Sequence, residues 1–143
     1  MYRLIFTLLL LSFNLYSNNK LVVYMSPTCG CCTYWVKHME ENGFSVETVK
    51  LNNVDSIKMI NKISPQISSC HTGIIDGYFV EGHVPAKDVK KMLSLRPKIR
   101  GLAVPGMPAG SNVPGMETKN TPAKYDVLSI EFNGINKIWS QYK

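Results

Sequence analysis

Three of the four cysteines of this 143-residue chain fall within four positions, in Ser26-Pro27-Thr28-Cys29-Gly30-Cys31-Cys32. Core packing gives thiols no reason to crowd in this way, so the trio points to redox chemistry, metal binding or both. Cys29 and Cys32 stand at the C-x-x-C spacing of a dithiol pair, and Cys31 takes an inner position. At the start of a helix, free backbone N–H groups and the macrodipole stabilise a thiolate. Thiolate is both the nucleophile of disulfide exchange and a soft ligand for Cu(I) or Zn(II), so the turn alone fits two functions. An exchanger needs two thiols, and a third invites off-pathway disulfides. Three converging thiolates instead suit soft metal ions, notably clusters with bridging sulfur. Cys31 and Cys32 can bridge only with strained geometry, whereas a Cys29–Cys32 bridge is feasible and leaves Cys70 over.

The elements around this turn follow from hydrophobic patterning. Lys20 to Met25 is a short apolar run rich in β-formers, a buried strand. Cys32, Trp35, Val36 and Met39 recur at helical spacing, which predicts a helix with one apolar face closed by Asn42-Gly43. Phe44 to Leu51 reads as a second strand, and Asp55 to Ile63 as a helix with Ile57, Ile60 and Ile63 on one side. His71–Ile75 and Tyr78–Glu81 flank the hairpin signal Asp76-Gly77. Pro85 at N1 opens a helix running to about Leu95. The predicted order is β-α-β-α-β-β-α, that of a thioredoxin-like α/β fold. A long Gly/Pro/Met loop over 101–124 and a C-terminal β-hairpin over 125–142, turning at Asn133-Gly134, complete the chain.

Such a fold sets the third strand antiparallel beside the first, so Cys70 arrives at the cysteine turn. It stands where thioredoxin relatives place a cis-proline. The hairpin then returns His83 to the same edge as a candidate ligand. His71 ranks below it, because neighbouring side chains alternate in direction. His38 lies two turns beyond Cys31, roughly 10 Å along the axis, and reads as an exposed helix residue. Met39, Met59 and Met92 follow helical periodicity and are assigned to the core. Met107 and Met116 differ: Val104-Pro105-Gly106-Met107 recurs as Val113-Pro114-Gly115-Met116, on a loop that offers no core position. Thioether is a soft ligand that needs no deprotonation. Cysteine, histidine and methionine together favour copper over zinc, which needs only Cys29, Cys32, Cys70 and a histidine and leaves the methionines idle.

The N-terminus reads as a secretory signal peptide over 1–17. Arg3 precedes an apolar run from Leu4 to Phe13, too short to span a bilayer, with cleavage after Ser17 and a mature domain over 18–143. The predicted location is periplasmic, with no stable membrane insertion after cleavage. Net charge is +6, but the densest patch (Lys87, Lys90, Lys91, Arg96, Lys98 and Arg100) surrounds one predicted helix. It carries no nucleic-acid motif and reads as a solvated face.

The segments SPTCGCCTYWVKHM, SCHTGIIDGYFVEGHVPA and GLAVPGMPAGS, followed by PGME and YDVL, resemble the CopG-like periplasmic copper-handling proteins over nearly the whole mature chain. One departure is the Asn112-Val113 spacer before Pro114. The resemblance implies a thioredoxin-like fold with extensions and a role in copper resistance. It implies one or more Cu(I) ions held by Cys29, Cys31, Cys32 and Cys70, with His83, Met107 and Met116 as additions. It admits other periplasmic copper-resistance proteins as partners. Two rival readings stay open: a thiol–disulfide oxidoreductase with Cys29 as nucleophile and Cys32 as resolving thiol, and a structural zinc or disulfide domain.

Overall fold

The computed structural model describes residues 20–143. The signal peptide expected over 1–17 lies outside the described residues. Among them, no helix is long and apolar enough to cross a membrane.

The chain runs β1 (Leu21–Met25), α1 (Gly30–Glu41), β2 (Val46–Lys50), α2 (Asp55–Ile60), a 3-10 turn (Pro65–Ile67), β3 (His71–Ile75), β4 (Tyr78–Glu81) and α3 (Ala86–Leu95). It then adds β5 (Ile99–Ala103), β6 (Tyr125–Glu131) and β7 (Asn136–Tyr142). All strands join one seven-stranded sheet in the order β2-β1-β3-β4-β5-β6-β7. β1 pairs parallel with β2 and antiparallel with β3, with Met25 opposite His71.

Alternation along the strands divides the sheet's two faces. One face carries Leu21, Val23, Met25, Ile75 and Val80 against Trp35, Val36 and Met39 of α1 and Val89 and Met92 of α3. On the other, Phe79, Ala103 and Ile130 pack with Ile63 and Ile67. The four α1 positions expected inside are the four that are buried, and Gly43 follows with φ +87. Asp76 and Gly77 both take positive φ, the requirement of a two-residue type I′ hairpin.

Several expectations are corrected. β5 replaces the start of the predicted loop: Leu102 and Ala103 are fully buried between β4 and β6. Gly101 marks close packing there, since a Cβ would sit 2.1 Å from the Phe79 carbonyl oxygen. The Asp55 helix stops at Ile60, which is 76% exposed, and Lys58 is its buried residue. Met59 is 75% exposed, so of the three helical methionines only Met39 and Met92 are core. Pro85 is the residue before the first helical turn of α3 rather than its N1. The basic face of α3 is also a packing surface: Lys87 and Lys91 lie over the rings of Tyr142 and Trp139, at 4.6 and 4.8 Å.

His38 is not a free surface residue. Its Nε2 accepts from the Ala86 backbone N–H at 3.1 Å, capping the first donor of α3. Burial lowers its pKa, Glu117 and Glu41 pull it back up, and Lys90 lowers it further, leaving it below the usual value. With the folded value depressed, the native state binds fewer protons than the unfolded chain. This contribution is therefore complete above about pH 6.5 and drains away as pH falls through the folded value. The melting temperature of the metal-free protein should fall from about pH 7.5 to about pH 5, with a shallower slope in His38→Ala. Identical slopes in the two proteins would remove the cap from this account.

Candidate metal centre

The β1–α1 turn and the start of β3 form one site because Met25 and His71 are paired across the strands. Cys29 occupies the N-cap of α1, where its Sγ accepts from the Cys32 backbone N–H at 3.3 Å. Gly30 begins the helix, and its first turn carries Cys31 and buried Cys32. Cys70 precedes β3 by one residue. The Sγ atoms of Cys29, Cys31, Cys32 and Cys70 all lie within 4.8 Å of one another. Cys29 and Cys32 are joined as a disulfide, and Cys31 and Cys70 are free, half-buried thiols. Cys31 Sγ lies 3.4 Å from Cys29 Sγ and 3.8 Å from Cys70 Sγ.

Two imidazoles converge on Cys70. His83 Nε2 is 3.3 Å from its sulfur and His71 Nδ1 is 3.4 Å away. The His83 tautomer follows from donor logic. Its Nδ1 faces the Pro114 carbonyl oxygen at 2.7 Å, which can only accept, so Nδ1 carries the hydrogen. Nε2 then presents its lone pair toward Cys70, the carbonyl-braced arrangement usual for a metal-binding histidine. Burial lowers the pKa of both rings, His71 well below the usual value with help from His83 and Lys58. Burial, then Cys31, push the Cys70 thiol up to about 12, so in the metal-free site it keeps its proton.

The 104–124 segment is a strap folded over this site. Ser69 Oγ donates to the Gly106 carbonyl and Gly106 N–H donates to the Ser68 carbonyl, at 2.6 and 3.1 Å. These bonds tie the first Val-Pro-Gly-Met copy to the residues just before Cys70. The second copy is a turn closed by Met116 N–H to the Val113 carbonyl at 2.9 Å, with Pro and positive-φ Gly at its centre. Its Pro114 carbonyl braces His83. Asn112, from the spacer noted in the sequence, makes two hydrogen bonds to the backbone of Ala123 and presents its own carbonyl to the Tyr125 hydroxyl. Tyr125 stacks on Tyr142, whose hydroxyl donates to buried Asp88 of α3.

Of the sequence-predicted ligands, the structure brings Cys29, Cys31, Cys32, Cys70 and His83 together. Met107 is 53% exposed and lines an open groove with Pro105, Pro108, Lys124 and Tyr125. Met116 is half-buried and follows Gly115, which rests on the first turn of α1. His71, ranked below His83 on strand alternation, reaches Cys70 at nearly the same distance, because Cys70 lies outside the strand and alternation does not separate the two side chains.

Residues 67–116 match a family model described as "Protein of unknown function, DUF411". A solved structure, "Copper resistance protein copG- Form 2", superposes with a TM-score of 0.82 at 39% identity, over 87% of this chain and 98% of that one. "Copper resistance protein copG- Form 1" gives 0.80 at 40% identity, over 86% and 96%. The chain belongs to the CopG family. No curated protein matches it. The family's mixed α/β architecture extends over the seven-stranded sheet described above.

Gly115 tests how the strap rests on the site. A Cβ there would meet Trp35 N at 2.7 Å and Cys31 O at 2.8 Å, and its φ is +78. Gly115→Ala should destabilise the protein by about 1–3 kcal/mol in denaturant unfolding. Wild-type stability in that variant would show that the strap does not bear on α1.

Proposed function

We propose that this chain is a periplasmic Cu(I)-binding protein of copper resistance, built on a thioredoxin-like framework. The observation that carries the reading is the convergence of four cysteine sulfurs, all within 4.8 Å of one another, with His83 aimed at one of them. Reduction of Cys29–Cys32 would turn this cluster into four soft donors for one or more Cu(I) ions. The relatives named as copper resistance proteins support copper as the cargo. Met107 and Met116 are the proposed thioether donors of the strap, which acts as a lid. Zinc would be satisfied by a subset of these ligands and gives the methionines no part.

Copper loading and the Cys29–Cys32 disulfide compete for the same two sulfurs. Forming that bond removes two thiolates and hands two electrons to an oxidant, so oxidation would release the metal. The disulfide also favours a second reading, thiol–disulfide exchange with Cys29 as nucleophile and Cys32 as resolving thiol. That reading gives no role to Cys31, Cys70 or His83.

An anaerobic Cu(I) titration of the reduced mature protein against a chromophoric chelator separates the two. Copper binding predicts competitive uptake that falls on Cys31→Ser, weakens on Met107→Leu and drops sharply in the disulfide form. Exchange predicts disulfide reductase activity that survives Cys31→Ser. Absence of competitive uptake by the reduced wild type would remove the copper reading.

A further inference from the structure

On the sheet face opposite His71 lies a buried ion pair that the site's chemistry does not use. Lys58 of α2 and Glu81 of β4 are 7% and 0% exposed. Glu81 Oε1 accepts from Lys58 Nζ and, at 2.6 Å, from the Ser69 backbone N–H. Oε2 accepts from the Thr72 hydroxyl at 2.6 Å, and the Thr72 oxygen in turn accepts from Lys58 Nζ at 3.1 Å. With Glu81 as a carboxylate and Lys58 as an ammonium every contact is satisfied: Thr72 gives its one hydroxyl hydrogen to Oε2 and keeps a lone pair for Lys58 Nζ.

Stability alone is a poor reason for such a pair, since apolar residues of similar volume commonly serve a core as well or better. Its geometry supplies another. The one carboxylate grips Ser69 and Thr72, the residues on either side of Cys70-His71. Ser69 lies outside the β3 ladder, so strand pairing does not hold it. Both carboxylate oxygens are occupied on the far face, which leaves Glu81 to act on the site through the backbone.

We infer that Lys58 and Glu81 form a positioning clamp that fixes the Ser69–Thr72 segment and so keeps Cys70 within reach of Cys31 and His83. The inference rests on the copper reading for its purpose but not for its test. Without the clamp, the Cys70 segment opens locally while the sheet stays folded. Metal uptake then has to order it again.

The test is the double variant Lys58→Met/Glu81→Met, which replaces the pair with apolar side chains and leaves no buried charge unpaired. Thermal unfolding should stay cooperative. Cu(I) affinity should fall about 10–100-fold, the usual cost of losing an outer support of a metal ligand. In the reduced, copper-free protein, iodoacetamide should alkylate Cys70 roughly tenfold faster, mapped by peptide mass spectrometry. A folded double variant with wild-type Cu(I) affinity and wild-type Cys70 alkylation overturns the clamp. If the double variant does not fold, Thr72→Val removes one donor and leaves the pair; it should shift both readouts the same way by a few-fold, and wild-type behaviour overturns the inference. If the wild type takes up no Cu(I), the copper reading falls, and the alkylation comparison still decides the clamp.

Discussion

The antiparallel pairing of Met25 with His71 is the contact on which the site depends. It ends β1 and starts β3 at the same level, so the turn after one strand and the residue before the other meet. Cys29, Cys31 and Cys32 come from the first and Cys70 from the second. A slip of one residue would reverse every side chain of β3, sending His71 to the Lys58 face and Thr72 toward Trp35. The packing of Trp35 prevents that. Its ring lies 4.4 Å from the His71 ring, and its indole N–H donates to the Val84 carbonyl at 2.9 Å. One tryptophan of α1 thus fixes the register of β3 and the return of the chain past His83.

The strap gives the second layer of control. Its hydrogen bonds run to Ser68 and Ser69 before Cys70, to His83, and through Asn112 to Tyr125 and the aromatic stack. The stack is anchored on Asp88, which also accepts from Ser140 Oγ at 2.8 Å. The C-terminal hairpin therefore bears on the site, because it holds the end of the strap against α3. The lysines of α3 take part in this packing through their positions over Tyr142 and Trp139. A charged helix face and an aromatic hairpin are complementary here without any outside partner.

Buried ionisable groups lie on both sides of the sheet. The site face holds neutral imidazoles and a protonated Cys70 thiol, all disfavoured as ions by burial. The opposite face holds the one fully buried carboxylate, neutralised by Lys58 and hydrogen-bonded to the backbone beside Cys70. On the α3 side, buried Asp88 is taken up by the Ser140 and Tyr142 hydroxyls.

Local signals in the sequence determined much of this. The apolar spacing of Cys32, Trp35, Val36 and Met39 determined α1, and the Asp76-Gly77 and Asn42-Gly43 signals determined turns, because these depend on neighbouring residues alone. The C-x-C-C turn, Cys70 and His83 were legible as donors for the same reason, and the strand order implied their meeting. Tertiary structure decided the rest. β5 is a strand because β4 and β6 enclose it, although Arg100-Gly101 breaks its pattern. Lys58 is buried and Ile60 exposed because Glu81, distant in sequence, offers a carboxylate on that side of α2. Met59 points to solvent, His38 caps another helix and His71 joins Cys70 because each depends on partners that only the folded chain supplies. Periodicity reports which face of an element is apolar; it carries no record of the polar atom waiting on the other side.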